Sequence, residues 1–375
     1  MNIVGARPNF MKVAPLIREM KRYPDIAPLL VHTGQHYDDK LSRIFFSELR
    51  IPEPDINLGV GSGSRDEQIK KIQQAFEPVL TKEMPHLVVV VGDVNSTIAC
   101  ASVAKKHGIR VAHVEAGLRS FDLSMPEEHN RRETDQISDF LFVTEQSGLE
   151  NLKTEKIRGA CFLVGNVMID TLVHNLEKAL RSSILETLSL SPKSYIAATF
   201  HRPSNVDRQE DLQRLIDVLT NIAKKAPLVF PIHPRTKRSL QDFGLFEALA
   251  KTEHFILSEP LGYWDFLKLV SGSSAVVTDS GGIQEETTFL GVPCLTMREN
   301  TERPVTVSVG TNVLVGSNSA RLMDELDKIL AGGHKKGEKP PFWDGHAASR
   351  IVQIVREQLS LKSGERILEA RNGST

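Results

Sequence analysis

The sequence predicts an α/β protein with two doubly wound domains and a cleft between them. Three observations predict this architecture: the spacing of apolar runs, their return in the second half, and the chain length. Continuous apolar runs such as "HLVVVVGD" alternate with amphipathic segments such as "DEQIKKIQQAFEPVL". This alternation is typical of parallel sheets that are covered by helices on both faces. It restarts after "CFLVGNVMIDTL", and 375 residues exceed what one hydrophobic core usually organises.

The predicted strands follow one another through each half of the chain. In the first half they lie in "NIVGARP", "APLLVHTGQH", "HLVVVVGDVNST", "IRVAHVEAG" and "DFLFVTEQ". In the second half they lie in "SYIAATFHRPSN", "APLVFPIHPRT", "HFILSEP", "SAVVTDSGG" and "VPCLTM". A helical pattern follows a polar segment rich in Pro and Gly near the end of the sequence. We predict an N-terminal domain at 1–167, a C-terminal domain at 168–350 and a terminal helix at 351–375.

Composition argues against several classes of protein. The chain has 46 Lys and Arg against 47 Asp and Glu, so its net charge of −1 gives no bulk attraction to nucleic acid or membranes. No apolar run reaches the roughly 18 residues that a membrane-spanning helix needs, and the first residues do not resemble a secretory leader. Three scattered cysteines without a CxxC pair fit a reducing compartment. We expect a cytoplasmic protein with no nucleic-acid or membrane partner.

Polar side chains gather where the predicted strands end. In open parallel sheets, ligands bind outside the carboxyl ends of the strands. The polar residues at these ends are Arg7, Asp93, Glu115, His201, His233 and Asp279. Their placement predicts a binding cleft between the two domains.

The segment "VVTDSGGIQEETTFLG" is the clearest ligand signal. Ser280 begins a predicted helix, and Gly281 and Gly282 allow an anion to approach the N–H groups of its first turn. Glu286 lies further into this helix, where a carboxylate can accept hydrogen bonds from ribose hydroxyls. The alternative, a plain serine N-cap followed by surface acids, stays open on the sequence.

Two basic motifs suit a negatively charged substrate. Arg298 and Arg303 in "MRENTERPV" are candidates for a diphosphate clamp, because guanidinium pairs bidentately with phosphate oxygens. A solvated loop is the alternative for this motif. Arg7 and Lys12 in "GARPNFMK" lie beside a glycine turn at the start of a predicted helix. That turn lacks the third glycine of a dinucleotide fingerprint, and we expect no cofactor.

Candidate acids and bases are found near the same strand ends. His113 and Glu115 lie two residues apart in a predicted strand, so strict alternation would point their side chains together. Glu127 and Glu128 follow a proline further on. The glutamates form either acid/base groups or a salt-bridged loop, and Asp93 is either an acid/base group or a helix N-cap.

The remaining motifs give weaker signals. His201 ends the first strand of the second half and is placed to face the cleft, although a lone histidine is more often structural. A metal site is not expected: the HxE of "AHVEAG" lacks the PCxxC of zinc deaminases, and neither HExxH nor the GxSxG elbow occurs.

Taken together, the motifs resemble one family. "GARPNFMKVAPLI", "TGQHYD", "GDVNST", "HVEAGLRS", "PEEHNR", "GNVMID", "HRPSN", "TDSGGIQEE" and "TERPV" occur in this order, and they closely resemble those of non-hydrolysing UDP-N-acetylglucosamine 2-epimerases. The resemblance implies a GT-B-type fold with two Rossmann-like domains, a last helix that crosses back to the first domain, and a homodimer.

The resemblance also implies residue roles. The positions that match the acid/base residues of the family are Asp93, Glu115, Glu127 and His201. The positions that match its UDP-holding residues are Arg7, Lys12, Ser280, Gly281, Gly282, Glu286 and Arg303, and His233 is added as a substrate-binding candidate from its strand end. Gln35 matches a residue of the allosteric UDP-GlcNAc site in bacterial members, but Asp38 replaces its glutamine partner. We therefore expect little activation by a second UDP-GlcNAc.

The implied activity converts UDP-N-acetylglucosamine into UDP-N-acetylmannosamine through elimination of UDP to 2-acetamidoglucal and re-addition of UDP. Proton-transfer groups near both faces of the sugar suit inversion without a redox cofactor. Three rivals remain on the sequence: a hydrolysing epimerase, a retaining glycosyltransferase of the same fold, and a non-catalytic sensor of sugar nucleotides.

Overall fold

The first of two parallel sheets contains seven strands. A computed structural model describes residues 1–34, 48–49 and 53–372, with the backbone alone for Arg7 and for 361–372. The strands of this sheet are β1 (Asn2–Val4), β2 (Leu30–His32), β3 (Ile56–Asn57), β4 (Leu87–Val91), β5 (Arg110–Ala116), β6 (Phe140–Val143) and β7 (Ala160–Leu163). Their spatial order is β3-β2-β1-β4-β5-β6-β7.

The second sheet contains six parallel strands with the same kind of order. The strands are β8 (Ile196–Thr199), β9 (Leu228–Pro231), β10 (Phe255–Ser258), β11 (Ala275–Thr278), β12 (Cys294–Thr296) and β13 (Asn312–Leu314). Their spatial order is β10-β9-β8-β11-β12-β13. In each sheet the order in which successive strands are added therefore reverses once. The reversal lies between β1 and β4 in the first sheet and between β8 and β11 in the second. These are the switch points at which doubly wound sheets bind ligands.

Helices connect the strands and cover both sheets. Those of the first half are α1 (Arg7–Met20), α2 (Arg65–Glu83), α3 (Asn95–Lys106), α4 (Pro126–Ile137), α5 (Gln146–Thr154) and α6 (Val167–Leu180). Those that follow are α7 (Ile184–Thr187), α8 (Pro203–Val206), α9 (Gln209–Ala223), α10 (Pro234–Asp242), α11 (Phe246–Ala250), α12 (Tyr263–Gly272), α13 (Gly281–Leu290), α14 (Pro304–Ser308), α15 (Ser319–Leu330) and α16 (Ala347–Asn372). The predicted fold class, two Rossmann-like doubly wound units, is confirmed.

The last helix packs against the first half of the chain. Ile351 and Val352 of α16 belong to the same buried cluster as Phe10 and Met11 of α1. Asp170 of α6 accepts hydrogen bonds from the N–H groups at the start of α16, at 3.0 Å and 2.7 Å. The sheets lie within the predicted ranges 1–167 and 168–350, while the domain boundaries themselves stay a prediction.

Strand β5 carries an irregularity that changes one prediction. Its pairing with β6 shifts register between Val114 and Ala116, so Glu115 is an extra residue with a φ of 70°. Such a bulge breaks the alternation of side chains. His113 contacts Asp135 of α4, whereas Glu115 contacts Lys12 of α1. The expectation that His113 and Glu115 point together is wrong, because it assumed a regular strand.

No helix in the described ranges is long and apolar enough to cross a membrane.

Candidate functional site

A cavity of about 640 Å³ is lined by residues of both halves of the chain. The first half contributes the start of α1 and the loop after β4, and the second half contributes the loops after β8, β9 and β11. The predicted site residues that line it are Lys12, Asp93, His201, His233, Ser280, Gly281, Gly282, Glu286 and Arg303. The structure therefore brings most of the candidate residues to one cleft, at the switch points of the two sheets.

Four predicted residues are not among these lining residues, and for two of them the structure describes no side chain. The side chain of Arg7 and the whole of Gln35 lie outside the described residues. Glu127 is half-buried on the first turn of α4, and its charge acts on Arg202 across the cleft. Glu115 is only 3% exposed and lies behind the cavity wall, in contact with Lys12.

The start of α13 has the features of an anion-binding helix terminus. Ser280 occupies the N-cap position, but its side chain makes no capping hydrogen bond. A side chain added at Gly282 would meet no atom within 4 Å, so the backbone there faces open space. N–H groups in the first turn of a helix have no partner within the helix, and the helix dipole adds positive potential. Ser280 is thus the N-cap residue without a side-chain cap, and the acids that follow it, Glu285 and Glu286, are buried and not at the surface.

Glu286 lies deeper in the same helix. Its carboxylate accepts a hydrogen bond of 3.2 Å from the hydroxyl of Tyr263, which begins α12. Burial raises the pKa of Glu286 to about 7; the Tyr263 hydroxyl opposes this shift and the adjacent Glu285 adds to it. The Glu286 carboxyl is thus held at the cavity wall by the uncharged hydroxyl of Tyr263.

The raised pKa makes the contribution of Glu286 to stability depend on pH. The unfolded chain ionises near the ordinary value of 4.5, so folding favours the protonated form. The favourable contribution is complete below about pH 4.5 and is lost as the pH rises through about 7. We expect the unfolding free energy of the wild type, relative to Glu286→Gln, to fall by about 2–3 kcal/mol from pH 5 to pH 8. Thermal midpoints of both proteins at four pH values measure this, and a constant difference contradicts it.

Arg303 joins carboxylates from both halves of the chain. Its guanidinium pairs with Glu285, lies 3.2 Å from Glu302 and lies 3.8 Å from Glu115. Glu285 also accepts a 2.9 Å hydrogen bond from Asn166, at the start of α6. Burial disfavours the charge of Arg303, but Glu285 and Glu115 outweigh it and raise the pKa of the guanidinium. Arg303 is a buried, permanently charged group that spans the cleft.

Lys12 and Glu115 form the ion pair on the opposite wall. The pair is buried and approaches the backbone of Gly92, which has a φ of 65°. A Cβ at Gly92 would lie 2.8 Å from the Lys12 ammonium and 3.5 Å from Glu115. Asn9 of α1 supports the same turn by donating to the carbonyl of Val91 at 3.0 Å. A glycine is required here by both the backbone angle and the close approach of the ion pair.

Asp93 and Glu128 share one arginine. Arg131 of α4 pairs with the carboxylates of both residues. Burial disfavours ionisation of Asp93, but Arg131 and Lys12 outweigh it and hold the pKa of this carboxyl below its ordinary value. Glu128 is fully buried and also accepts hydrogen bonds from the N–H and hydroxyl of Ser120, both at 2.9 Å. Glu128 is therefore a structural group, whereas Glu127 is only half-buried and its charge acts on Arg202.

His201 is fixed by the aspartate of the next strand end. The buried carboxylate of Asp279 accepts hydrogen bonds from the backbone N–H groups of His201 and Arg202 and from Asn205. The Nδ1 atom of His201 lies 3.3 Å from Asp279. The rings of His201 and His233 stand 5.3 Å apart with their planes tilted by 37°. Asp279 shapes the loop that presents both the histidine and Arg202.

Sequence reasoning missed several charged residues of the site. They are Arg131, Glu285 and Glu302, while Arg202 was placed beside His201 at a strand tip but given no role. Each stands inside a motif that the sequence singled out, so proximity to a chosen residue was the available signal. Within the described part of the chain, no group of three or more His, Cys, Asp or Glu side chains could hold a metal ion.

Two Rossmann-like units with a cleft between them define a GT-B type of fold. A sequence profile described as UDP-N-acetylglucosamine 2-epimerase matches residues 18–356. A UDP-N-acetylglucosamine 2-epimerase homolog of Methanococcus maripaludis is 42% identical, with 95% of this chain and 99% of the relative covered. The crystal structure of the Methanocaldococcus jannaschii UDP-GlcNAc 2-epimerase in complex with UDP-GlcNAc and UDP aligns with a TM-score of 0.88 at 42% identity, over 95% of this chain and 99% of the other. This chain belongs to the UDP-N-acetylglucosamine 2-epimerase family, and the predicted resemblance is confirmed.

Proposed function

We propose that this protein interconverts UDP-N-acetylglucosamine and UDP-N-acetylmannosamine. The observation that carries the proposal is the meeting of acid/base groups from both halves with an anion-binding helix terminus in one cavity. The substrate is supported by the Methanocaldococcus jannaschii relative, whose structure holds UDP-GlcNAc and UDP. We expect a homodimer located in the cytoplasm.

The reaction proceeds through elimination and re-addition. A protein base takes the C2 proton, the electrons of the C2–H bond form the C1=C2 bond, and the C1–O bond breaks with its electrons leaving on UDP. The product is 2-acetamidoglucal together with bound UDP. Re-addition then returns UDP to C1 and a proton to the other face of C2, which inverts the centre. Each proton transfer needs a group within hydrogen-bond reach of the sugar.

Four residues supply these proton transfers in our proposal. Asp93 and His201 line the cavity from opposite halves, and the lowered pKa of Asp93 keeps it ionised and able to accept a proton. Glu115 and Glu127 approach from the ends of β5 and α4.

The diphosphate is held at the start of α13 in this proposal. Gly281 and Gly282 present backbone N–H groups and Ser280 presents its hydroxyl, since its own N–H donates to Thr278, and Arg303 supplies a buried positive charge beside them. UDP gains negative charge as the C1–O bond breaks, and donors already in place stabilise that charge without rearrangement. Lys12 stands on the opposite wall, and Glu286 is placed to accept hydrogen bonds from the ribose. His233 stacks beside His201 at the edge of the nucleotide end.

Exchange of the C2 hydrogen tests the reaction. We expect UDP-GlcNAc incubated with the protein in deuterated water, without any added cofactor, to give UDP-ManNAc with deuterium at C2. The physical reason is that the proton removed by a carboxylate exchanges with solvent before C2 is protonated again, whereas a hydride transfer would conserve it. Proton NMR and mass spectrometry of the separated epimers measure the label.

The same incubation separates the rivals. A hydrolysing epimerase would release UDP and free N-acetylmannosamine, and a glycosyltransferase would form no epimer without an acceptor. A binding protein would return unlabelled substrate. If the UDP-ManNAc that forms keeps protium at C2, the elimination mechanism is contradicted.

A further inference from the structure

Glu302 is a carboxylate in a position that suits a phosphate. It is 5% exposed, and its Oε1 atom lies 2.8 Å from the position of a Cβ built on Gly281, the first residue of α13. An anionic side chain of the protein thus reaches the helix terminus that suits the diphosphate of the substrate. Neither the acid/base group nor the phosphate grip proposed above uses this residue.

Three guanidinium groups surround the same carboxylate. Arg298 lies 2.8 Å from Glu302, Arg303 lies 3.2 Å away and Arg202 lies 3.8 Å away. Burial opposes ionisation, but Arg303 and Arg298 outweigh it and hold the pKa of Glu302 far below its ordinary value. The arginines therefore favour the ionised form of Glu302.

Glu302 is a single carboxylate within 4 Å of three guanidinium groups. Among the described residues, Arg303 has two further carboxylates within 4 Å, Glu285 and Glu115, whereas Asp279 and Glu127 act on Arg202 from farther away. Arg202 donates to the backbone carbonyl of Asp279 at 2.9 Å, and Arg298 donates to the side-chain oxygen of Asn300 at 3.3 Å. Arg202 and Arg298 can therefore pair with a further anion in addition to Glu302.

We propose that Glu302 is a positioning residue: its carboxylate holds the three guanidiniums in place and competes with the substrate diphosphate for them. This inference rests on the proposed function, because it concerns how UDP is held while it is detached from the sugar. Glu302 weakens the binding of UDP in the ground state, and it keeps the arginines preorganised for the charge that UDP gains on leaving.

This arrangement suits a reaction in which the leaving group must return. Interactions that bind substrate and transition state equally do not speed the chemical step. Guanidiniums released from Glu302 would close on the diphosphate of the intact substrate and stabilise the ground state. Held by Glu302, they change position little as charge moves onto UDP, which is the condition for electrostatic stabilisation of the transition state.

Neutralising Glu302 should therefore tighten nucleotide binding and slow turnover. We expect Glu302→Gln to bind UDP about tenfold more tightly by calorimetry, because one negative charge near the diphosphate has been removed. The same variant should lower both KM and kcat for UDP-GlcNAc, with kcat reduced by about tenfold or more. The matched control is Glu299→Gln in the same loop, since Glu299 accepts from the N–H of Ser317 at 3.0 Å and pairs with no arginine among the described residues.

A purely structural ion pair gives a different result. In that case Glu302→Gln would lower the thermal midpoint and leave UDP affinity unchanged or weaker, which overturns the inference. If this variant does not fold, Glu302→Asp replaces it in the test. An aspartate keeps the negative charge near the arginines, and because its side chain is one methylene shorter, the charge lies farther from Gly281. Tighter UDP binding by Glu302→Asp supports the inference, and unchanged or weaker binding overturns it.

The comparison of UDP affinities by calorimetry does not depend on whether the protein catalyses the proposed reaction. A wild-type protein that binds UDP but forms no epimer would contradict the proposed function and would still allow the affinity comparison to decide the role of Glu302. A wild-type protein that does not bind UDP would overturn both.

Discussion

Replacing Glu115 or Glu127 by glutamine should lower the turnover of UDP-GlcNAc by at least about two orders of magnitude. A glutamine keeps the shape of the side chain but can neither take nor give the proton at C2. Glu115 lies at the bulge of β5 beside Lys12, and Glu127 lies on the first turn of α4. Because Glu127 does not touch the proposed diphosphate site, the UDP affinity of Glu127→Gln should stay within about threefold of the wild type.

The control is a second glutamate of α4, which tests whether the loss of turnover depends on the position of the carboxylate and not only on its charge. Glu133 lies on the same helix as Glu127, but its side chain is half-exposed and pairs with Arg65 at 3.3 Å. Exposed pairs of this kind contribute little, so Glu133→Gln should keep wild-type turnover. Steady-state rates and UDP calorimetry on the three variants give the result. Near-normal turnover in both Glu115→Gln and Glu127→Gln would remove the two residues from the acid/base set.

The second large effect is expected for Arg303→Met. This change leaves Glu285 and Glu302 without their shared cation in a buried site, and removing one partner of a buried ion pair costs about 3–5 kcal/mol. UDP binding should weaken as well, by about 1–3 kcal/mol, because a charged hydrogen-bond donor is lost from the cleft. Chemical denaturation and calorimetry measure the two losses separately.

A second substitution distinguishes the two losses of Arg303→Met. In Arg303→Met with Glu285→Gln the unpaired charge at 285 is gone, so much of the stability should return while UDP binding stays weak. The free energies then fail to add, which is the signature of a direct interaction. Additive losses would mean that the Arg303–Glu285 pair contributes little, contrary to its burial.

The doubly wound fold could be predicted because its central strands are long and apolar. "HLVVVV" and "SAVVT" became β4 and β11, which adjoin the switch points of their sheets. The short edge strands β3 and β13 were not predicted. They contain two and three residues and are partly exposed, so they leave no apolar run that a sequence could display.

The candidate site could be predicted only as far as its strand ends and its helix start. Ser280 and His201 reach the cavity because parallel strands end on one edge, which a sequence pattern can indicate. The partners of Arg303 could not be predicted, since Glu115 reaches it only after two separate sheets have packed together. The direction of Glu115 was also missed, because a one-residue bulge leaves no trace in the apolar pattern of β5.

The packing of α16 on α1 has a consequence for synthesis on the ribosome. Strand β7 ends at Leu163, yet the apolar cluster of the first half includes Ile351 and Val355, which are translated almost two hundred residues later. Translation proceeds at roughly 5–20 residues per second, so α16 is synthesised about 10–40 s after the first half of the chain. During that time the apolar surface that α16 covers stays exposed. Chaperones that bind exposed apolar surface therefore have a defined interval and a defined target on the emerging chain.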